Sequence, residues 1–209
     1  MEALNKDLLI AAKSGNLKAV EKSLENGANV NCTEEDKNTP LHYASEGGFV
    51  DVASLLISKG ADIHSQGQWG YTPLHWAAKG GFVDVASLLI SKGADIHSQG
   101  RWGDTPLHGA SRGGFVDVAS LLISKGADIH SQNQWGDTPL HDASRGGFVD
   151  VASLLISKGA DIHSQGYGGN TPLHYASEGG FLDVASLLIS KGADIHSQDW
   201  RGNTPLHYA

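Results

Sequence analysis

The sequence is poor in cysteine and in cationic side chains, and each shortage argues against a class of protein. Cys32 is the single cysteine, so the chain cannot form an internal disulfide. We therefore expect a reducing compartment, the cytoplasm or another intracellular one. Lys and Arg together number 15 against 23 Asp and Glu, which gives a formal net charge of −8. This acidic balance argues against sequence-independent nucleic-acid binding, which requires a basic face.

Long apolar segments and catalytic signatures are also missing. No apolar stretch approaches the roughly 20 residues that a membrane-spanning helix needs. The N-terminal segment MEALNKDLLIAAKSG is too charged, and its apolar run too short, for a secretory signal. The chain contains no His-Glu-x-x-His motif, no paired cysteines and no phosphate-loop glycine pattern. From the sequence we expect no membrane partner, no enzymatic activity, no cofactor and no metal.

What the chain does contain is a repeat of 33 residues. The tetrapeptide Thr-Pro-Leu-His occurs six times at this spacing. The copies begin at Thr39, Thr72, Thr105, Thr138, Thr171 and Thr204. Between them, the segment GGFVDVASLLISKGADIHSQ occurs four times without change, and a fifth copy differs only at Leu182. A fixed period of this length indicates a stacked array, in which each unit buries its apolar face against its neighbours.

Each repeat predicts two short helices followed by a turn. In the first full copy, Thr39 is a good N-cap and Pro40 suits the first helical position. The pair Gly47-Gly48 ends this helix. The segment VASLLISK predicts a second helix, and the glycine after it suits a left-handed C-cap. Residues 68–71 then predict a hairpin-like turn.

These motifs make the chain similar to the ankyrin repeat family over nearly its whole length. The resemblance implies an all-α fold, a solenoid of helix-turn-helix units with projecting β-hairpin-like turns. We expect one continuous domain, with an N-terminal capping repeat at 1–35, five full repeats at 36–200 and a truncated seventh repeat at 201–209. Residues 1–35 lack the tetrapeptide and are more polar, as suits a terminal repeat.

Each of the five full repeats contains two histidines and one phenylalanine, and the eleventh histidine is His207. For the six histidines of the tetrapeptide, the resemblance implies a hydrogen bond to the threonine hydroxyl and to nearby backbone. The other five form a ladder at His64, His97, His130, His163 and His196. Neighbouring repeats should lie about 8–10 Å apart, whereas zinc needs donors at about 2.1 Å, so successive rungs cannot share an ion. The phenylalanines are expected to pack on their neighbours.

Comparison of the repeats with one another shows where the sequence varies, namely in the turns and on the first helices. We call the varying residues the variable surface. They are Tyr43, Glu46, Gln68, Trp69, Tyr71, Trp76, Lys79, Arg101, Trp102, Asp104, Arg112, Gln134, Trp135, Asp137, Asp142, Arg145, Tyr167, Asn170, Tyr175 and Glu178. The resemblance implies that these regions line a concave groove that contacts partners, and Trp, Tyr and Arg dominate binding hot spots. We therefore predict a module that binds another protein through this groove.

Several alternatives remain open at the level of sequence. The variation could reflect drift at exposed positions, with the recurring Trp69, Trp102 and Trp135 packing turn against turn. Turns that carry Trp and Arg could instead stack bases or bind another anionic polymer, although the net charge argues against this. The chain could also be the regulatory or targeting part of a larger enzyme. Because residues 201–209 lack a second helix, end-to-end self-association through an uncovered C-terminal end is a further expectation.

Overall fold

The computed structural model describes residues 2–209, and Met1 lies outside the described residues. Within this range the chain forms twelve α-helices and no β-strand. The helices are α1 (Glu2–Lys13), α2 (Leu17–Glu25), α3 (Pro40–Glu46), α4 (Val50–Ser58), α5 (Pro73–Gly80), α6 (Val83–Ser91), α7 (Pro106–Gly113), α8 (Val116–Ser124), α9 (Pro139–Arg145), α10 (Val149–Ser157), α11 (Pro172–Glu178) and α12 (Leu182–Ser190). The expected all-α class of paired helices is confirmed.

The boundaries of these helices follow from local chemistry. Thr39 has an extended backbone before α3, and Pro40 occupies the first helical position. Gly48 takes a left-handed φ of 72°, which ends the helix and redirects the chain. The helix α4 begins at Val50, two residues earlier than the segment VASLLISK suggests. Asp51 therefore lies in the first turn of α4, where its charge suits the helix dipole.

The helices form two compact units, Met1–Arg101 and Trp102–Ala209. In the first unit α1, α3 and α5 pack in sequence as one layer, and α2, α4 and α6 form the second layer. In the second unit α7, α9 and α11 form one layer, and α8, α10 and α12 form the other. Each unit is thus a stack of helix pairs. The expectation that residues 1–35, 36–200 and 201–209 make one continuous domain stays a prediction.

Invariant apolar residues build the core of each unit. The leucine of the first five Thr-Pro-Leu-His copies is almost fully buried, as are a valine and a leucine of each second helix from α4 onward. Burying one such side chain contributes about 1.5–3 kcal/mol relative to exposure. Ala44 is also fully buried, so α3 and α4 can approach closely. The repeated sequence therefore repeats the same core contacts.

The phenylalanine before each second helix packs on glycines, an arrangement we call the Phe–Gly contact. Phe49 covers Gly47 in its own repeat and Gly15 in the preceding one, and a Cβ on either glycine would collide with the ring. Phe82 lies in the same way on Gly48. In the second unit, Phe148 and Phe181 lie on the glycines of the repeats before them. The packing role expected for the phenylalanines is confirmed.

The projecting turns are closed and joined by backbone hydrogen bonds. In the first unit the Gly67 N–H donates to the Tyr71 carbonyl at 2.9 Å, around a single 3₁₀ turn at Gln68–Gly70. The Arg101 N–H donates to the Trp69 carbonyl at 2.7 Å, which links one turn to the next. The turns are therefore hairpin-like, but no strand forms in residues 2–209. Within the same range, no helix is long and apolar enough to cross a bilayer.

Candidate interaction surface

The histidine of the Thr-Pro-Leu-His motif fixes the start of the first helix, and at His42, His108, His141 and His174 it also binds the backbone of the following repeat. The Thr39 N–H donates to His42 Nδ1 at 3.0 Å, and the Thr39 hydroxyl oxygen lies 2.8 Å from the same nitrogen. Because Nδ1 accepts a hydrogen bond, we assign the proton to Nε2, which donates to the Tyr71 carbonyl at 3.0 Å. His108 Nε2 makes the corresponding bond to the Asp137 carbonyl. The structural role expected for these histidines is confirmed.

Burial favours the neutral form of His42 and His141. Desolvation lowers the pKa of His42, although Asp36 and Asp62 act in the opposite direction. Desolvation likewise lowers the pKa of His141. Protonation at Nδ1 would also remove the acceptor that the N-cap residue uses. The helices α3 and α9, which contain His42 and His141, therefore begin at an uncharged imidazole that is fixed by hydrogen bonds.

The variable surface consists of exposed residues and of buried residues that support them. The exposed ones are Glu46, Trp69, Lys79, Arg101, Arg112, Gln134, Trp135, Arg145, Tyr167 and Glu178. The buried ones are Tyr43, Tyr71, Trp76, Asp104, Asp137, Asp142 and Tyr175, and Gln68, Trp102 and Asn170 are half-buried. A side chain with less than a tenth of its surface exposed offers a partner little area. The direct contacts available to a partner are thus mainly those of the exposed group.

In the first unit, Tyr43 belongs to a polar cluster near the N-terminus. Its hydroxyl donates to Glu34 at 2.9 Å and lies 3.1 Å from an Asp36 oxygen. Lys13 lies 4.2 Å from the centre of the Tyr43 ring and forms an ion pair with Glu34 at 2.6 Å. The hydrogen bond from Lys13 lowers the pKa of Glu34. Burial, together with the two carboxylates, raises the pKa of Tyr43.

An aromatic cluster formed by Trp69, Tyr71 and Trp76 surrounds Lys79 in the same unit. The Trp69 and Trp76 ring centres are 5.8 Å apart, and Tyr71 meets Trp76 edge to face at 5.7 Å. The Lys79 ammonium lies 5.2 Å from the Trp69 ring centre and 5.0 Å from that of Trp76, within cation–π range. Trp76 is 6% exposed, and its Nε1 is buried without a hydrogen-bond partner.

An ion-pair network occupies the corresponding region of the second unit. Arg112 donates to Asp104 at 3.0 Å and to Asp142 at 2.9 Å. Arg145 donates to Asp137 at 2.6 Å and also reaches Asp142. Burial raises the pKa of Asp104, but the hydrogen bonds and charge of Arg112 outweigh it, and the net pKa is lowered. The two arginines therefore already have carboxylate partners within the chain.

The remaining aromatic residues of the second unit divide between packing and exposure. The rings of Trp102 and Trp135 stack with their centres 6.5 Å apart, so the recurring tryptophans pack turn against turn here. Tyr175 is buried beneath Arg145, whose guanidinium lies 4.0 Å from the ring centre. Tyr167 is 62% exposed and Trp135 is 42% exposed. Within the variable surface of this unit, these last two offer the largest aromatic area to a partner.

Asp104, His108 and Asp142 are the one potential metal-binding group found among residues 2–209. The atoms that could bind a metal already have partners. Arg112 binds both carboxylates, and both ring nitrogens of His108 make hydrogen bonds. A cation here would have to displace the guanidinium. The group therefore fits an ion-pair network better than a metal centre.

Sequence reasoning missed residues that organise these clusters. Asn133 is buried, donates to Asp104 at 3.0 Å and accepts from the backbone of Trp135 and Asp137. The sequence could have identified Asn133, because three other repeats have glycine at the equivalent position, at Gly67, Gly100 and Gly166. Lys13 and Glu34 were missed because they lie in residues 1–35, before the first full repeat. Asp36 was missed although it occupies the turn position that Trp69, Trp102 and Trp135 occupy in later repeats.

The end of the second unit exposes apolar side chains. Leu182 is 78% exposed and Leu206 is 80% exposed, and Ile189 is also exposed on α12. Gly180 has a φ of 66° and open space where earlier glycines carry a phenylalanine ring. We call this region the C-terminal face. It differs from the interior repeats, where the next Phe–Gly contact covers the equivalent glycine.

Comparison with protein families agrees with the helix pairs, the tetrapeptide and the joined turns. A model of ankyrin repeats in three copies matches residues 8–100 and 96–166. A model of the single ankyrin repeat matches residues 168–200. The chain therefore belongs to the ankyrin repeat family. No curated protein matches the sequence.

Proposed function

We propose that the protein is a non-enzymatic module that binds a partner protein through its variable surface. Ankyrin repeats are in general protein–protein interaction modules, and this chain matches them from residue 8 to residue 200. The observation that carries the proposal is the position of sequence variation. The otherwise invariant repeats differ at exposed Trp, Tyr, Lys and Arg side chains, which are the kinds of residue that anchor interfaces.

The buried part of the variable surface has a supporting role in this proposal. Trp76 holds Trp69 and Lys79 in place through ring contacts. Asp142 orients Arg112 and Arg145. Side chains fixed in this way lose less conformational freedom when a partner binds, which favours affinity. Binding therefore depends on complementarity with a stiff surface and involves no chemical step.

The nucleic-acid alternative is less well supported by the contacts of the second unit. Phosphate binding needs free cations, but both Arg112 and Arg145 are paired with carboxylates. The stacked Trp102 and Trp135 also have faces turned to each other. Self-association through the C-terminal face is a separate proposal, supported by exposed Leu182 and Leu206.

The test compares substitutions on two surfaces. Trp69→Ala, Arg101→Ala and Trp135→Ala, combined in one variant, remove exposed side chains of the variable surface. Ser87→Glu and Ser120→Glu alter exposed positions of the second helices. The immobilised proteins capture partners from a nuclease-treated lysate, and circular dichroism checks helical content. Because one hot-spot residue contributes about 2 kcal/mol or more, we expect at least a 30-fold loss with the triple variant and little change with the serine variant.

The opposite pattern would show that the wrong surface has been assigned. Nuclease treatment that abolishes capture by the unaltered chain would indicate a nucleic-acid partner. Trp76 and Arg112 are unsuitable for this test, because their removal would also disturb packing or leave buried carboxylates without a partner.

A further inference from the structure

One cation of the variable surface lacks the carboxylate partners that its counterpart has. Lys79 stands 66 residues, two periods, before Arg145. Arg145 binds Asp137 and Asp142. The residues two periods before those aspartates are Tyr71 and Trp76, which are aromatic. Lys79 therefore faces indole rings and forms no ion pair with any described residue in 2–209.

The same place contains a second donor without an acceptor. Trp76 lies one helical turn before Lys79 on α5, so the two side chains share a face. The Trp76 indole N–H is buried and makes no hydrogen bond. Leaving such a group unsatisfied costs about 1–3 kcal/mol. The Lys79 ammonium lies 5.0 Å from the centre of the ring that carries this N–H, so two donors are close together and neither has an anionic partner among residues 2–209.

The backbone beside these donors is also strained. Trp69 has a φ of 59°, in the left-handed region that bulky residues rarely adopt. The equivalent residue 99 positions later is Gly168, with a φ of 71°, which adopts this conformation without cost. The strained backbone places the Trp69 indole against Trp76 and Lys79. Strain of this kind concentrates at ligand-binding sites.

We propose that the Trp69–Trp76–Lys79 site binds an acidic side chain, Asp or Glu, of the partner protein. One carboxylate oxygen accepts from the Trp76 indole N–H and the other pairs with the Lys79 ammonium. The Trp69 ring face covers the aliphatic part of the same side chain. This inference rests on the proposed function and names the chemistry of the partner at one place on the variable surface.

The donor set matches a carboxylate better than a phosphate chain. One ammonium and one N–H satisfy two oxygens of a single negative charge. A nucleic acid would require several cations along its backbone, and the chain as a whole carries a charge of −8. The second unit already combines Arg145 with carboxylates, so the same repeat geometry accommodates this pairing within the chain.

Binding requires a local rearrangement. The Trp76 Nε1 is closed to solvent, and Trp69 and Lys79 are the exposed side chains that lie against the Trp76 ring. One or both of them must shift for a carboxylate to reach the N–H. The Trp76 indole resonance is therefore a direct reporter of occupancy.

The experiment uses the full chain and two short peptides. The acetylated and amidated peptides Ala-Glu-Glu-Ala and Ala-Gln-Gln-Ala are titrated into ¹⁵N-labelled protein. The Trp76 indole resonance is assigned from its loss in Trp76→Phe. We expect a saturable shift with the glutamate peptide and binding at least tenfold weaker with the glutamine peptide.

Matched variants separate the site from general electrostatics. Lys79→Gln should weaken binding of the glutamate peptide at least threefold. Lys92→Gln removes the same charge at an exposed position after α6 and should leave binding unchanged. Trp76→Phe keeps the ring but removes the N–H, and should also weaken binding when followed at the Trp69 indole resonance. Amide spectra establish that each variant is folded.

Three results would overturn the assignment. They are equal shifts from the two peptides, equal losses with Lys79→Gln and Lys92→Gln, and tighter binding of a short oligothymidine than of the glutamate peptide. If the glutamate peptide leaves Trp76 unmoved while the triple variant of the variable surface still loses its partner, the carboxylate assignment is wrong and the proposed function stands. If the triple variant keeps its partner, the proposed function itself is wrong.

Discussion

At the scale of single residues, the histidine of the Thr-Pro-Leu-His motif takes part in two different kinds of contact. His42 contacts the N-cap residue of its own helix through Nδ1 and the Tyr71 carbonyl of the next repeat through Nε2. One neutral ring therefore serves both the local helix start and the contact between repeats. A proton added to the ring would disturb both at once.

This arrangement predicts a loss of stability in mild acid. Burial lowers the folded-state pKa of His42 and His141 below the ordinary value of 6.5. The unfolded chain then takes up protons first, so the stabilisation is complete above pH 7 and declines as the pH falls through 6.5. The urea midpoint should decrease from pH 7.5 to pH 5.5, before most carboxylates titrate.

The exposed histidine ladder supplies the control for that measurement. Replacing the exposed His97, His130 and His163 by Gln should leave the decrease of the urea midpoint in place, because His42 and His141 remain. A urea midpoint that stays constant between pH 7.5 and pH 5.5 in the unaltered protein would contradict the neutral, buried assignment.

The resemblance to ankyrin repeats predicted the threonine–histidine contact, but nothing in the sequence predicted the ion-pair network. The first lies within four consecutive residues, so its geometry follows from the start of a helix. The second joins Arg112 to Asp142, 30 residues away, and depends on how far one repeat is displaced from the next. Sequence variation marked Asp104, Asp137 and Asp142 as surface residues. Their burial depends on how the repeats pack against one another, which the sequence alone does not give.

At the scale of helices, the Phe–Gly contact holds one helix pair against another. From α4 onward, each second helix begins at a phenylalanine N-cap that makes no side-chain hydrogen bond, at Phe49 for example. Tertiary packing of the ring therefore contributes where local capping does not. This explains why α4 begins earlier than its apolar pattern suggests, since sequence periodicity contains no information about contacts with the preceding repeat.

Gly114→Ala tests this contact. The new methyl would collide with the Phe148 ring and would occupy a backbone with a φ of 74°. Left-handed backbone costs an alanine about 1–2 kcal/mol, and overpacking adds about 1–3 kcal/mol. We expect a loss of unfolding free energy of about 2–5 kcal/mol in urea denaturation.

Gly180→Ala is the matched control, because Gly180 has a φ of 66° with nothing within 4 Å of the added carbon. Gly180→Ala should therefore lower the unfolding free energy only by the backbone contribution, about 1–2 kcal/mol. In a Phe148→Ala background, Gly114→Ala should likewise fall to that smaller cost. Equal losses for Gly114→Ala with and without the Phe148 ring would refute the role of the contact.

At the scale of the whole molecule, the C-terminal face of the second unit exposes large apolar side chains. Leu182 and Leu206 are largely exposed, and α12 has no further helix pair against it. Apolar area of this kind lowers local stability or promotes association. A capping repeat with a polar outer face, fused after Ala209, should therefore increase amide-exchange protection at Leu187 and Leu188.

Analytical ultracentrifugation of the fused and unfused chains measures the self-association that the same prediction concerns. Any self-association that depends on concentration should decrease in the fused chain. Equal protection over residues 180–209 in the two chains, with both monomeric, would show that the C-terminal face is stable as it stands. An alanine replacement of Leu182 offers a comparison that reduces the apolar area without adding a repeat.

The Phe–Gly contact has a consequence for how such a chain can change in length. Within each unit, a repeat presents a glycine to the phenylalanine of the repeat that follows, as Gly147 does to Phe181, and inserts its own phenylalanine into the repeat before, as Phe148 does at Gly114. A gain or loss of one complete 33-residue block would join the same two surfaces again. As far as the Phe–Gly contact is concerned, the array can thus be lengthened or shortened by recombination within a gene without a compensating substitution.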